Sequence, residues 1–166
     1  MVSKRILLGY SHAFLVAADA HASRAREKGV DGEVDGMMCI IAMQNAVVGA
    51  TKVLGKGHQA VSTCLSEVKD LKHVRDMLTH FDEYTAGTGK LQQSLDGVDG
   101  PYGWMPMWNS NETLLILTRR RGEEQATHYE VSIHKALRSV AALVAAAVDS
   151  MNVERSPLLE RLTAAQ

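Results

Sequence analysis

The chain is short of several things, and each scarcity narrows what it is. Only two of its 166 residues are cysteine, Cys39 and Cys64. Two thiols build neither a disulfide framework nor a four-cysteine zinc site, which points to a reducing, cytoplasmic setting. Charge of one sign is also missing, since 18 basic residues face 19 acidic ones and the formal net charge is −1. No global field draws such a protein to a polyanion, so nucleic-acid binding has to come from a local patch. No apolar run approaches the ~20 residues of a membrane span, and no membrane association is expected. Lys4-Arg5 with Ile6-Leu7-Leu8 and Ala18-Asp19-Ala20 imitates a secretory leader, but Gly9, Ser11 and His12 interrupt its apolar centre. Aromatic residues make up only 5%, whereas Met numbers 8 and Ala is plentiful, an aliphatic balance that suits packed helices. Hydrophobic residues at 46% and charged residues at 22% exclude a disordered or collagen-like chain.

What is present reads as helices first. Ser11 is placed to cap a helix over about 12–28 that Gly29 ends. Residues 30–36, with Asp31, Glu33 and Asp35, read as an acidic turn. A second helix over about 34–54 is apolar nearly all round, so it lies centrally or in a subunit interface; Gly55-Lys56-Gly57 stops it. A third helix is expected to run unbroken over about 59–85, with Val61, Cys64, Val68, Leu71, Val74 and Leu78 in one apolar stripe. Five glycines and Pro101 between 87 and 103 predict a long loop or flap, ending in apolar bulk at Tyr102, Trp104 and Trp108. Residues 112–118 and 127–133 read as two strands joined around Arg121-Gly122-Glu123, and an Ala-rich helix follows over about 133–152. The expected fold is mostly α: an antiparallel helical bundle with an inserted two-stranded β-hairpin. One domain spans 1–152, with the insertion at about 104–133, and 153–166 form a short C-terminal helix or tail. Dimerisation through the second and third helices is expected.

The third helix holds the chemistry. Arg75 and Asp82 fall inside its apolar stripe, and an unpaired charge there is costly. Arg75 therefore needs a partner such as Asp82, an aqueous cleft, or a subunit boundary. His80 lies on the opposite, polar face with His73 and Asp76. That spacing is compatible with a metal, yet no second cluster supplies a fourth ligand, and neither metal nor other cofactor is expected. Arg119, Arg120 and Arg121 at the strand turn, helped by Lys90 in the Gly-rich loop, form a candidate phosphate grip. Because Glu123 and Glu124 follow at once, a solvated hairpin tip competes with that reading. Trp104 and Trp108 suit anchoring of the flap better than base stacking.

Arg75-Asp76-Met77-Leu78-Thr79-His80, at the end of a long helix, resembles the Arg-x4-6-His signature of HEPN domains (higher eukaryotes and prokaryotes nucleotide-binding). The resemblance covers about residues 10–85 and 133–150, with the strands as an insertion. It implies a helical dimer and a metal-independent endoribonuclease of the kind found among toxin and defence components, with a neutralising protein partner. By that resemblance Arg75 stabilises the scissile phosphate, His80 acts as general acid or base, and Asp76 orients either side chain. The RNA's own 2′-hydroxyl would attack, leaving a 2′,3′-cyclic phosphate. The alternative is a noncatalytic helical dimer that binds a protein or nucleotide.

Overall fold

A computed structural model describes residues 3–86, 88–90, 105–109, 112–118 and 127–164. The described residues are mostly helical (74%), with one small three-stranded antiparallel sheet. Helix α1 (Lys4–Lys28) and α2 (Glu33–Leu54) form a long antiparallel hairpin through a 3-10 turn at Gly29–Gly32. Three short helices follow, α3 (Gln59–Glu67), α4 (Leu71–Thr79) and α5 (Phe81–Thr85). Strands β1 (Met105–Asn109), β2 (Thr113–Thr118) and β3 (Thr127–Ser132) come next, and α6 (Ile133–Ser150) and α7 (Pro157–Ala164) close the chain.

The α1–α2 hairpin is tight because small residues meet along its seam. Ser11 does not cap α1. The helix starts seven residues earlier, with Ser3 accepting the N–H of Arg5, and Ser11 sits fully buried inside it. Its hydroxyl donates to the Ala46 carbonyl at 2.7 Å, and a Cβ built on Gly49 would come within 2.9 Å of Ser11 Cβ. This bond across the seam satisfies a hydroxyl that is fully buried. At the other end, a Cβ on Gly32 would lie 2.3 Å from the Ala25 carbonyl oxygen, so only glycine closes that turn. Gly29, at φ +59, ends α1 where the sequence suggested, and Gly55, at φ +93, ends α2.

Of the acidic turn expected over 30–36, residues 30–32 lie in the 3-10 turn and 33–36 form the first turn of α2. Asp35 lies in that turn, buried, and accepts bonds from His21 Nδ1 (2.9 Å), Arg24 Nε (3.0 Å) and Lys28 Nζ (2.6 Å) of α1. Those three donors, Lys28 first, hold the Asp35 carboxyl well below the usual carboxylate range. The i, i+3, i+7 spacing of His21, Arg24 and Lys28 on α1 is what brings them to one acid.

Helix α6 is the centre of the molecule. It is buried on most sides, packs on α1, α2, α3 and α7, and uses Ala141, Ala145 and Ala147 for close approach. Helix α7 seals its far side with Leu159 and Leu162. By length and composition, the stretch Lys4–Leu54 holds a window apolar enough to cross a membrane, contrary to the expectation of no such run. More than half of that window is buried inside the protein, as in the core helix of a packed domain.

The sheet has three strands in the order β1-β2-β3, one more than the expected hairpin. β1 is the added strand. It pairs Met105 with Leu117 and Asn109 with Thr113, and it tolerates Pro106 because it lies at the sheet edge. Trp108 fixes it to the helices: its indole N–H donates to the Gly29 carbonyl at 2.8 Å, and its ring covers Gly36, where a Cβ would lie 2.4 Å away. Trp108 thus anchors β1; most of the flap it was expected to anchor lies outside the described residues. Glu112, beside β2, takes a two-pronged ion pair from Arg26 at 2.6 and 3.1 Å. The residues Gly87, Trp104, Arg119, Arg120 and Arg121 lie outside the described residues, as does most of the 87–103 stretch.

Candidate functional site

The long third helix is broken twice. Val68 (φ −117, ψ 44) and His80 (φ −119, ψ 38) leave helical geometry, so α3, α4 and α5 change direction at residues that an ideal wheel keeps in line. The first break is tied to β3: the Asp70 carboxylate accepts the Glu130 N–H at 3.2 Å, and the His73 ring packs on Tyr129 with centroids 5.5 Å apart. Periodicity in the sequence survives both breaks because each interrupts the helix for only one to three residues. Contact with the sheet accompanies the first break.

At the α4–α5 bend the polar face opens on a cavity of about 380 Å³, lined by Lys72, His73, Asp76, His80, Glu83, Tyr84 and Lys90. Asp76 is its hub, half-buried, with Lys72 Nζ at 2.6 Å and Arg75 Nη1 at 3.2 Å. His80, at the C-cap of α4, is exposed on one side and has Nδ1 3.5 Å from Glu83 Oε1. A carboxylate beside one ring nitrogen favours an imidazole orientation that leaves the other nitrogen free. Lys90 reaches the cavity because the chain folds back across the Tyr84 ring, with Thr88 N–H donating to the Glu83 carbonyl at 2.9 Å. Gly89 allows it, since a Cβ there would lie 2.7 Å from that ring.

Of the candidate residues, Asp76, His80 and Lys90 share this cavity. Arg75 does not line it. Its guanidinium is anchored on Asp76 rather than on Asp82, and its Nε is buried with no hydrogen-bond partner among the described residues. Arg119, Arg120 and Arg121 lie outside the described residues. His73 was grouped with Asp76 and His80 by its spacing, but only as a possible metal set; Lys72 and Glu83 were not singled out, although the spacing of 73, 76, 80 and 83 on one helical face carried the signal.

The arrangement suits proton transfer and anion binding. Two imidazoles and two ammonium groups face one half-buried carboxylate in a cavity open to water. Among the described residues, no three His, Cys, Asp or Glu side chains are grouped closely enough to hold a metal ion. The thiols are poor nucleophiles: burial pushes the Cys39 thiol up to about 12 and raises that of Cys64 as well. Comparison of the chain with protein-family models, curated proteins and solved structures finds no match.

Proposed function

We propose that the protein is a HEPN-like, metal-independent endoribonuclease that works as a homodimer, with the α4–α5 cavity as its site. The observation that carries this reading is the meeting of His80, His73, Asp76, Lys72 and Lys90 in one cavity. In the reaction the RNA 2′-oxygen bonds to phosphorus as the bond to the 5′-oxygen breaks. The base removes the 2′-hydroxyl proton and the acid gives one to the departing 5′-oxygen. His80 takes one of these roles, oriented by Glu83, and His73, which lines the same cavity, is the candidate for the other. Lys72 and Lys90 neutralise the phosphate, and Arg75, held by Asp76, adds charge at the rim. Arg119, Arg120 and Arg121 extend the phosphate grip in this reading. Exposed apolar side chains on α2, α3 and α5 (Met38, Val48, Leu65 and Phe81) support a partner copy.

The test is cleavage of single-stranded RNA by the purified protein in EDTA, with the ends of the products identified. Cyclic 2′,3′-phosphate ends, lost in His80→Ala at unchanged melting temperature, are the expected result. Wild-type cleavage by a folded His80→Ala protein defeats the assignment. A second reading, a noncatalytic helical dimer that binds a protein or nucleotide, is favoured by one observation: Arg75 is paired with Asp76 and is not among the residues that line the cavity.

A further inference from the structure

A larger cavity lies elsewhere, between α3, α6 and α7, with a volume of about 730 Å³. That is the size range of small-molecule sites. Its walls change character along α6. At the N-terminal half stand His134, Lys135 and Arg138, facing one acid, Glu67, of α3. Further along, Cys64, Leu143 and Leu162 give an apolar floor.

Two features single out the polar end. First, neither Lys135 nor Arg138 has an ion-pair partner among the described residues, although Glu67 lines the same cavity. The first turn of α6 adds the positive end of its dipole where His134 and Lys135 stand. Second, Ser139 lines the cavity, is only 7% exposed, and its hydroxyl has no partner stronger than the Cys64 thiol. Beside it lies the Cys64 thiol, which is only a weak donor and acceptor. A buried hydroxyl left with so weak a partner is costly. A ligand oxygen seated there relieves that cost while meeting the cation next to it in sequence.

We infer that this cleft binds an amphipathic organic anion, its carboxylate-like head between Arg138, Lys135 and the Ser139 hydroxyl and its apolar body on Cys64, Leu143 and Leu162. The site is separate from the α4–α5 cavity, shares none of its lining residues, and stands or falls independently of the ribonuclease reading.

The test uses octanoate as probe and octanol as its neutral counterpart, each titrated into the full chain by calorimetry. Octanoate is expected to bind saturably and at least about tenfold more tightly than octanol, the weight of a charge-assisted hydrogen bond. Arg138→Gln should weaken octanoate about tenfold or more, and Ser139→Ala several-fold, with octanol unaffected by the first. Lys69→Gln, outside the cleft, is the control and should change nothing. Circular dichroism establishes that each variant is folded. Octanol binding as tightly as octanoate, no saturable octanoate binding, or full octanoate affinity in a folded Arg138→Gln protein each overturns the proposal.

Discussion

Two carboxylates in this protein gather basic side chains, and they do so in opposite ways. Asp35 is buried in the α1–α2 hairpin and fills its acceptor sites with His21, Arg24 and Lys28. Asp76 is half-buried at the α4–α5 bend, engages Lys72 and Arg75, and opens on a cavity where His73, His80 and Lys90 have room beside them. The residue types are nearly the same. Burial and saturation make the first cluster a clasp between two helices, whereas incomplete coverage leaves the second available to a ligand. The comparison teaches that a charge cluster is judged by what its acceptors and donors still have to offer.

The largest effect that sharpens this contrast belongs to the open cluster. His80→Ala should cut RNA cleavage by about 10²-fold or more, the usual weight of a lost general acid or base. Its exposed position predicts a stability change within about 0.5 kcal/mol. A paired rate and thermal-melting measurement checks both halves, and a large loss of stability would move His80 into the structural class with His21.

Packing around the clasp gives the next effect. Gly36→Ala puts a methyl group where the Trp108 ring already stands, 2.4 Å from the built Cβ position. Overpacking of this kind costs about 1–3 kcal/mol, read as a lower midpoint in urea unfolding. Trp108 fluorescence should report the displaced ring; an unchanged midpoint would mean that the sheet is not pinned to the hairpin at this point.

Acid should separate the two carboxylates. The Asp35 carboxyl is held below its ordinary value, so its contribution to stability is complete above the unfolded carboxylate value of about 4. It drains away as pH falls from there toward the lowered folded value. Asp35→Asn should therefore lower the melting temperature at pH 7 and flatten the acid side of the profile. Equal slopes in wild type and variant would show that Asp35 is not the clasp.

The smallest effect is Asp76→Asn. Its ion pairs are half in water, where such pairs contribute about 0–1 kcal/mol, so unfolding should barely move. RNA cleavage should fall, because Arg75 loses the group that orients it. A stability loss larger than that of Asp35→Asn would invert the comparison.

How much of this was legible in the sequence differs by region. The α1–α2 hairpin was partly readable: Gly29 and Gly55 mark their helix ends, and the apolar span between 37 and 48 marks a core helix. Ser11 misled because a serine beside an apolar run looks like a cap, and only the packing of α2 reveals that it bonds the Ala46 carbonyl. Asp35 looked like turn composition because its three partners lie 7 to 14 residues away across a bend. The breaks at Val68 and His80 had no local signal, since neither glycine nor proline stands there; contact with β3 accompanies the first. β1 escaped notice because Pro106 and the short Met-Pro-Met-Trp-Asn run do not alternate as a strand should. At the site, Asp76 and His80 were legible from their spacing, while the parts played by Glu83 and His73 depended on the bend.

The most direct test of the contrast is an NMR titration of the histidine imidazoles with a nucleoside 2′,3′-cyclic monophosphate, the expected product class. His73 and His80 should shift together and saturably, whereas His21, locked on Asp35, should stay where it is. Shifts at His21 equal to those at His80, or no shift at His73 and His80 under saturating ligand, would contradict the account.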